Sequence, residues 1–448
     1  MKLRLFVLLI SLLAIQPGRA VEPSAAPPST AAPYQDTETP ADRAARMAWW
    51  RDARFGLFIH YGPVSLTGRE LSWSRANSNP RCPNHGPTPV AVYDNLHKQF
   101  DPEKFNAAAW ADIAKEAGMK YVVLTVKHCD GFLLWDSKVD GYNIAATPFK
   151  RDMAAELAKA VRADGLRMGW YFSPMDWRDP DFRTARNPAF VQRMQAELRE
   201  LLTNYGKIDL LWFDTDGYSN DYDVADTYRL IKSLQPAMLV DNRLDMGTRA
   251  SYKKQAIIPP ADYYTPEQRI GSYDGQRPWE TCETLGKQWS WKPKDHIKSV
   301  SKIIADLADC AGGDGNLLLD VGPMPDGEIE PRQVDVLKGV GLFLKKNGES
   351  IYGTRGGPYK PAAYGASTRK GNQVYIHVLK WPQGPITLPP LPARVVSAKI
   401  LGGENVQVQQ TDQGLQFSVP PQTRDPSDTV VVLTLDKPAQ PIPAITVP

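Results

Sequence analysis

The sequence lacks a membrane-spanning run at its N-terminus. The apolar stretch at residues 5–15 is well short of the roughly 20 residues that a membrane helix needs. Lys2 and Arg4 precede it and small residues follow at 18–20, which is the pattern of a secretory signal peptide. We therefore expect residues 1–20 to be removed on export to the periplasm or the exterior. Since no cysteine lies near the cleavage site, no membrane anchor is expected.

The sequence also lacks an excess of charge. Lys and Arg together number 53, against 50 Asp and Glu. The signal peptide carries Lys2, Arg4 and Arg19 and no acidic residue, so its removal leaves 50 basic against 50 acidic residues. A chain this close to neutral gives no indication of a nucleic-acid or anionic-membrane partner.

Cysteine and histidine are scarce, which bears on metal binding. The cysteines are widely spaced and form no CxxC pair, so a zinc site is not indicated; they are Cys82, Cys129, Cys282 and Cys310. An oxidising compartment permits a disulfide, but the spacing determines no pairing. Only His60 and His128 follow predicted strands, and two histidines are too few for a typical metallohydrolase site. We expect no metal.

Short apolar runs alternate with amphipathic helical stretches from residue 41 onward. Residues 21–40 are rich in Pro, Ala, Ser and Thr and predict a disordered linker. Strands are predicted at 54–60, 121–127, 167–173, 208–214, 238–243, 279–284 and 316–321, and helices at 110–117, 153–163, 190–205, 226–234, 297–311 and 331–346. This alternation predicts parallel βα units. It favours an α/β fold, a TIM-like (β/α) barrel over 41–350, irregular because fewer than eight units can be counted.

The pattern changes after residue 353. Residues 353–440 lack helical periodicity, and clusters of proline and glycine separate their extended segments. These segments lie at 373–379, 395–401, 405–409, 415–419 and 429–435. Short strands with turn signals between them predict a C-terminal antiparallel β-sandwich.

Polar residues follow the predicted barrel strands, where the active site of such a barrel forms. They are His60, residues 127–130 (Lys-His-Cys-Asp), Tyr171, Asp176 and Trp177, Asp214 and Asp216, and Asn242 and Arg243. Asp214 ends an apolar run, where an unpaired charge is costly to bury. We interpret Asp214 as catalytic and Arg243 as its ion-pair partner. Helix capping is the structural alternative for Asp214, and a role in the core is the alternative for His60.

These residue types suit glycoside hydrolysis. The reaction needs an ionised carboxylate and a carboxylic acid, roughly 5–5.5 Å apart when configuration is retained. Asp214 supplies the first group. Asp262, Glu267 and Glu280, which follow the fifth predicted strand, are the candidates for the second.

Several segments carry a family resemblance in a fixed order. They are 53–63 (Ala-Arg-Phe-Gly-Leu-Phe-Ile-His-Tyr-Gly-Pro), 121–135, 210–214 (Leu-Leu-Trp-Phe-Asp), 240–243 (Val-Asp-Asn-Arg), 279–282 (Trp-Glu-Thr-Cys) and 312–327. With them, residues 49–352 resemble the α-L-fucosidases of glycoside hydrolase family 29. The resemblance implies a barrel followed by a β-sandwich and no cofactor. It also implies exo-acting, retaining hydrolysis of terminal α-L-fucose from oligosaccharides or glycoconjugates.

The resemblance also implies roles for individual residues. Asp214 matches the nucleophile. Residues that bind the fucose hydroxyls and hold the nucleophile are matched by His60, His128, Tyr171, Trp212 and Arg243. Trp73 and Trp289 are expected near the fucose methyl group and apolar face. Residues 262–267 resemble the loop that carries the acid/base in several members, which favours Glu267, with Glu280 as the alternative.

The sequence departs from the family pattern at two further places. Cys129 stands where many members have a second histidine, and Ser72 precedes Trp73 where a glutamate is common. Glu70, two positions earlier, is a candidate substitute for that glutamate. Two other functions stay open at this point: a carbohydrate-binding protein on a degenerate barrel, and an exo-glycosidase for a related sugar such as an α-L-galactoside. The presence of both Asp214 and candidate acids argues against the first.

Overall fold

The computed structural model describes residues 34–76, 86–215, 221–246 and 254–448. The expected signal peptide and most of the expected linker lie outside these ranges. Within them, no helix is both long enough and apolar enough to span a bilayer.

Seven parallel strands form one sheet in the order β5-β4-β3-β2-β1-β7-β6. They are β1 (Phe55–Ile59), β2 (Tyr121–Lys127), β3 (Arg167–Phe172), β4 (Leu210–Phe213), β5 (Leu239–Val240), β6 (Glu280–Thr284) and β7 (Asn316–Val321). Each coincides with a predicted strand. The strands are buried on both faces, as expected for a parallel sheet covered by helices, and the predicted TIM-like fold is confirmed.

An irregular segment, residues 263–267, lies between the two edge strands β5 and β6. Its backbone forms isolated bridges to Asp241 on one side and to Trp279 and Cys282 on the other. The Cys282 amide donates to the Pro266 carbonyl at 3.0 Å. Because Pro266 has no N–H to donate, a regular ladder cannot continue through it. The barrel therefore closes at this point without a regular eighth strand.

Helices surround the barrel and cover its amino-terminal end. In the described residues they are α1 (Pro40–Ala53), α2 (Val90–Tyr93), α3 (Ala107–Glu116), α4 (Met153–Ala163), α5 (Asn187–Thr203), α6 (Val224–Leu234), α7 (Val300–Gly312) and α8 (Pro331–Asn347). Thr39 caps α1 by accepting the Asp42 amide at 3.1 Å. From α1, Met47 and Trp50 join the apolar cluster inside the barrel. This helix therefore closes the end where the strands begin.

The end of the expected linker already contacts the barrel. Tyr34 lies against Tyr228, with ring centroids 6.1 Å apart. Glu38 accepts a hydrogen bond from Arg46 Nε at 2.7 Å. Specific contacts thus begin before residue 40, where composition placed the boundary, because an acidic residue of this segment meets an arginine of α1.

The C-terminal residues form two antiparallel sheets, β12-β15-β10-β9-β8 and β11-β14-β13. The strands are β8 (Arg355–Gly356), β9 (Gly365–Lys370), β10 (Gln373–Val378), β11 (Ile386–Leu388), β12 (Val395–Ile400), β13 (Val408–Thr411), β14 (Gly414–Phe417) and β15 (Thr429–Leu435). The predicted sandwich is confirmed. Three of its strands, β8, β9 and β11, were not predicted, since they are short or polar.

The larger sheet of the sandwich is buried on both faces. On β10, Val374 and Ile376 belong to the sandwich core, whereas Tyr375 between them belongs to the main core around the barrel. Successive side chains of a strand point to opposite faces. One face of this sheet therefore packs on the barrel helices and the other faces the second sheet.

Candidate active site

A cavity of about 250 Å³ opens at the carboxyl ends of the barrel strands. It is lined by Phe58, His60, Trp73, His128, Tyr171, Met175, Trp177, Trp212, Asp214, Thr215, Arg243, Glu267, Cys282 and Trp289. Nine of the ten residues predicted for the site are in this set, and Glu280 is the exception. Two carboxylates, an arginine, two histidines and several aromatic rings therefore face one space.

Asp214 directly follows β4 and has two hydrogen-bond donors on neighbouring strands. Tyr171 Oη donates to its Oδ2 at 2.9 Å, and Arg243 Nη1 donates to its Oδ1 at 2.7 Å. Burial and the nearby Asp214 carboxylate raise the pKa of Tyr171 well above its usual value, so the phenol keeps its proton and donates. Both oxygens of the Asp214 carboxyl group are therefore held in place by donors from the protein.

Arg243 joins the two candidate catalytic carboxylates. While Nη1 binds Asp214, Nη2 donates to Glu267 Oε2 at 2.9 Å. Nε donates to Thr265 Oγ1 at 2.7 Å, which fixes the plane of the guanidinium. A planar fork of donors suits this simultaneous recognition of two acidic groups. Asp214 and Glu267 are thus held within the span of a single guanidinium.

Glu280 lies at the opposite end of the barrel from this cavity. It begins β6 and is 0% exposed, beneath the site. Its carboxyl group accepts hydrogen bonds from Trp50 Nε1 at 3.1 Å, from Trp212 Nε1 at 3.2 Å and from the Tyr121 hydroxyl. Burial raises the pKa of Glu280 to about 7. These contacts join the core to α1, and the carboxyl group does not line the cavity.

The two histidines of the site are buried and neutral. Burial lowers the pKa of His128 to about 3 and that of His60 well below its usual value. His128 Nδ1 lies 2.6 Å from Ser72 Oγ, and His60 Nδ1 lies 2.7 Å from Asp320 Oδ1. With Nδ1 engaged in both rings, Nε2 is the nitrogen that remains for a ligand.

Aromatic rings form the rest of the wall. Tyr171 stacks on Trp212 with centroids 5.6 Å apart, and the Trp289 ring lies 4.8 Å from that of His60. Trp73 is 46% exposed and forms the part of the wall nearest to solvent. Its ring packs edge-on against that of Trp177, with centroids 5.2 Å apart. Flat apolar faces of this kind suit the apolar face of a sugar.

Glu70 does not substitute for the glutamate that precedes this tryptophan in many family members. Its carboxylate accepts the amides of Leu71, Trp289 and Ser290 at 3.0, 3.0 and 3.2 Å, and it does not line the cavity. The Ser72 hydroxyl accepts the Asp130 amide at 2.9 Å beside the His128 ring. The Ser290 hydroxyl also donates to Glu70, at 3.3 Å, so Glu70 holds the backbone that carries Trp289.

Two strand-end residues form a buried ion-pair cluster beside the site. Lys127 Nζ lies 2.7 Å from Glu197 and 3.2 Å from Asp176. Burial alone would lower the pKa of Lys127, but the two carboxylates raise it above its usual value. Asp176 also accepts the Arg178 amide at 2.9 Å. This cluster fixes the loop after β3 and does not face the cavity.

The other strand-end candidates stabilise loops. Asp130 accepts the Tyr93 hydroxyl at 2.6 Å, and Asn242 Nδ2 donates to the Ala256 carbonyl at 2.8 Å. Asp262 accepts Arg46 at 2.7 Å and the Val240 amide at 2.9 Å. None of these three lines the cavity. Asp216 lies outside the described residues.

Four lining residues were not predicted: Phe58, Met175, Thr215 and Cys282. Phe58 precedes His60 by two positions, and residues two apart share one face of a strand, so this periodicity could have identified it. Cys282 follows Glu280 at the same spacing. Cys282 and Cys310 are buried free thiols, and Cys129 Sγ lies 3.3 Å from Ser173 Oγ. Cys82 lies outside the described residues.

Comparison with solved structures gives the same architecture. Alpha-L-fucosidase isoenzyme 1 from Paenibacillus thiaminolyticus is 35% identical, with a TM-score of 0.78 over 88% of this chain and 100% of that chain. A GH29 alpha-L-fucosidase from Bacteroides thetaiotaomicron, solved as a trapped covalent intermediate, is 26% identical, with a TM-score of 0.76 over 91% and 98%.

Sequence comparison agrees with the structural one. The plasma alpha-L-fucosidase of Rattus norvegicus is 32% identical over 379 residues, which is 79% of this chain and 82% of the relative. The family model for alpha-L-fucosidase matches residues 23–349, most of the chain and all of the barrel. Together with the site geometry, these matches show that the chain belongs to the α-L-fucosidases of glycoside hydrolase family 29.

Proposed function

We propose that Asp214 and Glu267 carry out the two steps of this enzyme's reaction. The chain is a glycoside hydrolase that releases terminal α-L-fucose with retention of configuration. Such a reaction uses one carboxylate as nucleophile and a second carboxyl group as acid and then base. The observation that carries the assignment is the bridging of Asp214 and Glu267 by the two Nη atoms of Arg243.

Asp214 acts as the nucleophile in the first step. Its carboxylate oxygen attacks the anomeric carbon of the fucosyl unit while the bond to the leaving oxygen breaks. Glu267 gives its proton to that oxygen, so the leaving group departs as an alcohol. Hydrogen bonds from Tyr171 and Arg243 support this role, because they hold both carboxylate oxygens of Asp214 in position at the cavity.

Glu267 acts as the general base in the second step. It takes a proton from water, the water oxygen attacks the anomeric carbon, and the bond to Asp214 breaks to release fucose. The contact with Arg243 supports this role, because it holds the Glu267 carboxyl group close to Asp214. The Glu267 side chain is 41% exposed, which leaves it open to water.

The remaining lining residues bind the sugar. His60 and His128 present Nε2 to the hydroxyl groups, while Trp289 and Trp73 face the methyl group and the apolar face of the ring. The relative from Bacteroides thetaiotaomicron was trapped as a covalent intermediate with 2-fluoro-fucosyl fluoride after a glutamate had been replaced by glutamine, which supports a catalytic glutamate in this family.

The natural substrate is a fucosylated oligosaccharide or glycoconjugate, and the enzyme acts after export. The proposal of export rests on residues 1–20, with Lys2 and Arg4 before the apolar run. Cell fractionation with N-terminal sequencing of the recovered protein tests it. A protein that keeps residues 1–20 and stays with the cytosolic fraction would contradict export.

Azide rescue with product analysis tests the two catalytic roles. The wild type, Asp214→Ala, Glu267→Ala and Glu280→Ala are assayed on 4-nitrophenyl α-L-fucoside with and without azide. Azide entering in place of the nucleophile inverts configuration, so Asp214→Ala is expected to give the β-fucosyl azide. Azide attacking the covalent intermediate gives the α-fucosyl azide, which is expected from Glu267→Ala. Formation of the α-azide by Glu280→Ala instead would overturn the assignment of Glu267.

A further inference from the structure

Trp177 lines the cavity and carries an indole N–H that makes no hydrogen bond within the described residues. The residue is only 3% exposed, and the N–H itself is buried. A buried donor that is left unpaired destabilises the folded protein, because it has lost its hydrogen bonds to water. An unpaired donor on a residue that lines a binding cavity is a candidate for a hydrogen bond to a ligand.

Other buried tryptophans behave differently. In the described chain, indole groups that donate to a protein acceptor belong to Trp50, Trp110, Trp135, Trp170, Trp212, Trp279 and Trp381. Trp291 is a second tryptophan with a buried, unpartnered N–H, but it does not line the cavity. A buried indole N–H without an acceptor is therefore uncommon in the described residues, and Trp177 is the one of the two that lines the cavity.

The loop after β3 holds the Trp177 ring in a fixed position. The Trp177 amide donates to the Cys129 carbonyl at 2.8 Å, which ties the loop to the end of β2. Asp176 accepts the amides of Arg178 and Asp179 at 2.9 and 3.1 Å. Trp73 packs edge-on against the ring at 5.2 Å. A donor fixed in this way is preorganised, so binding does not have to order it.

Gly131 shows how closely this loop is packed. Its φ is +74°, and a Cβ at this position would lie 2.5 Å from a carboxylate oxygen of Asp176. Glycine therefore allows the loop after β2 to approach the loop after β3. Trp177 in the loop after β3 and His128 in the loop after β2 both line the cavity, so this close packing fixes their loops relative to each other.

We propose that Trp177 Nε1–H donates a hydrogen bond to a hydroxyl group of the bound substrate. The inference rests on the proposed function, since it assigns one more substrate contact to the same cavity. A sugar hydroxyl supplies the acceptor oxygen that this donor lacks. The hydroxyl belongs either to the fucosyl unit or to the first sugar of the leaving group, and different substrates distinguish the two.

Replacement by phenylalanine removes the donor and keeps an aromatic ring. Trp177→Phe is expected to lower kcat/KM roughly tenfold, the size of one hydrogen bond. The matched control is Trp170→Phe, whose indole donates to the Leu201 carbonyl at 3.4 Å outside the cavity. That control is expected to lose some stability and to keep its kcat/KM.

Modified substrates then locate the hydroxyl. The wild type and Trp177→Phe are compared on 4-nitrophenyl fucosides that lack the 2-, 3- or 4-hydroxyl in turn. A fucosyl acceptor predicts that one of these deletions costs the wild type much more than it costs the variant. A leaving-group acceptor predicts instead that the variant is impaired on a fucosyl disaccharide and matches the wild type on α-L-fucosyl fluoride, whose leaving group has no hydroxyl.

Two results would overturn the inference. One is a Trp177→Phe enzyme with wild-type kcat/KM on every substrate. The other is an equal loss of kcat/KM on all substrates, including the fluoride, in a variant for which the removal of each fucosyl hydroxyl costs the same factor as it costs the wild type. Calorimetric titration of L-fucose and of a fucosyl disaccharide into both proteins gives the same comparison without turnover. Wild-type binding without any hydrolysis would contradict the proposed function alone, and equal affinities of both proteins for both sugars would contradict the inference alone.

Discussion

The two ends of the barrel use similar residues for different purposes. At the carboxyl ends of the strands, the side chains of Asp214 and Glu267 are 27% and 41% exposed and share Arg243. At the other end, Glu280 is fully buried and its partners are two indoles and a phenol. One end therefore holds charge at a cavity, and the other end uses a carboxyl group to join core side chains to α1.

A small difference in depth separates the two glutamates. The backbone of Glu267 forms a β-bridge with that of Cys282 on the neighbouring strand β6. Glu280 precedes Cys282 by two residues on this strand and therefore lies deeper in the barrel than Glu267. At about 3.3 Å per residue, this is a step of roughly 6–7 Å. The comparison teaches that position along the barrel axis, rather than residue type, decides which carboxyl group lines the cavity. Four changes test or sharpen it.

The largest expected effect is on stability, at the buried end. Glu280→Ala leaves three buried donors without their acceptor, from Trp50, Tyr121 and Trp212. At about 1–3 kcal/mol for each of the three donors, we expect the free energy of unfolding to fall by roughly 3–9 kcal/mol. Urea denaturation of the wild type and the variant measures this change.

Glu280→Gln is the matched control, because its amide oxygen still accepts hydrogen bonds and its volume is nearly unchanged. It is expected to lose clearly less stability than Glu280→Ala and to keep most of the wild-type kcat. The comparison of the two ends would fail if Glu280→Gln were as stable as the wild type but inactive, since Glu280 would then take part in the reaction.

The second effect is on activity, at the cavity. Arg243→Ala removes the group that binds Asp214 and Glu267 together, and we expect kcat/KM to fall roughly 100- to 1,000-fold. Arg243→Lys is expected to recover only part of this loss, because a single ammonium group lacks the planar fork that spans both carboxylates. Steady-state kinetics on an aryl fucoside measure both, and a fully active lysine variant would contradict the bridging role.

Much of this arrangement could be predicted from the sequence. Buried parallel strands are apolar throughout, so β1 to β4 and β7 stood out, and polar residues directly after them identified His60, His128, Tyr171 and Asp214. Trp73 and Trp289 do not directly follow a predicted strand, and the family resemblance was needed to propose them.

The position of a residue along the barrel axis, and hydrogen bonds between residues far apart in the chain, could not be predicted from the sequence. The choice between Glu267 and Glu280 depends on the irregular closure at 263–267, where Pro266 interrupts any strand pattern. The amides that bind Glu70 belong in part to Trp289 and Ser290, 219 and 220 positions away. Residue spacing carries no information on such contacts, since they form only when the loops of β1 and β6 meet.

Tyr171→Phe sharpens the comparison at the cavity by removing one hydrogen bond to Asp214. The contact measures 2.9 Å and joins a neutral donor to a charged acceptor. Such bonds contribute about 1.5–3 kcal/mol, so a loss of roughly 10- to 150-fold in kcat/KM is expected, with little change in the free energy of unfolding. A variant that lost stability but kept its activity would place Tyr171 with the structural residues instead.

The smallest expected effect is on the pH dependence of stability, where the two ends should differ in sign. Burial lowers the pKa of His128 to about 3, below the value near 6.5 of an unfolded chain. The unfolded chain therefore binds the extra proton between these values, and stability is lost as pH falls below 6.5. Burial raises the pKa of Glu280 to about 7, above its unfolded value of 4.5, so its contribution is lost as pH rises toward and through 7.

Urea unfolding at pH 5 and pH 7 separates these contributions. The wild type loses free energy of unfolding through His128 when the pH falls from 7 to 5, and His128→Asn is expected to remove about 2 kcal/mol of this loss. It loses free energy of unfolding through Glu280 when the pH rises from 5 to 7, and Glu280→Gln is expected to remove about 2 kcal/mol of that loss. His60, whose pKa is also lowered by burial, is present in every protein compared and largely cancels. If both variants changed the pH dependence with the same sign, the two ends would share one electrostatic environment. Opposite signs would follow from the structure, because burial excludes the charge of a histidine at one end and of a carboxylate at the other.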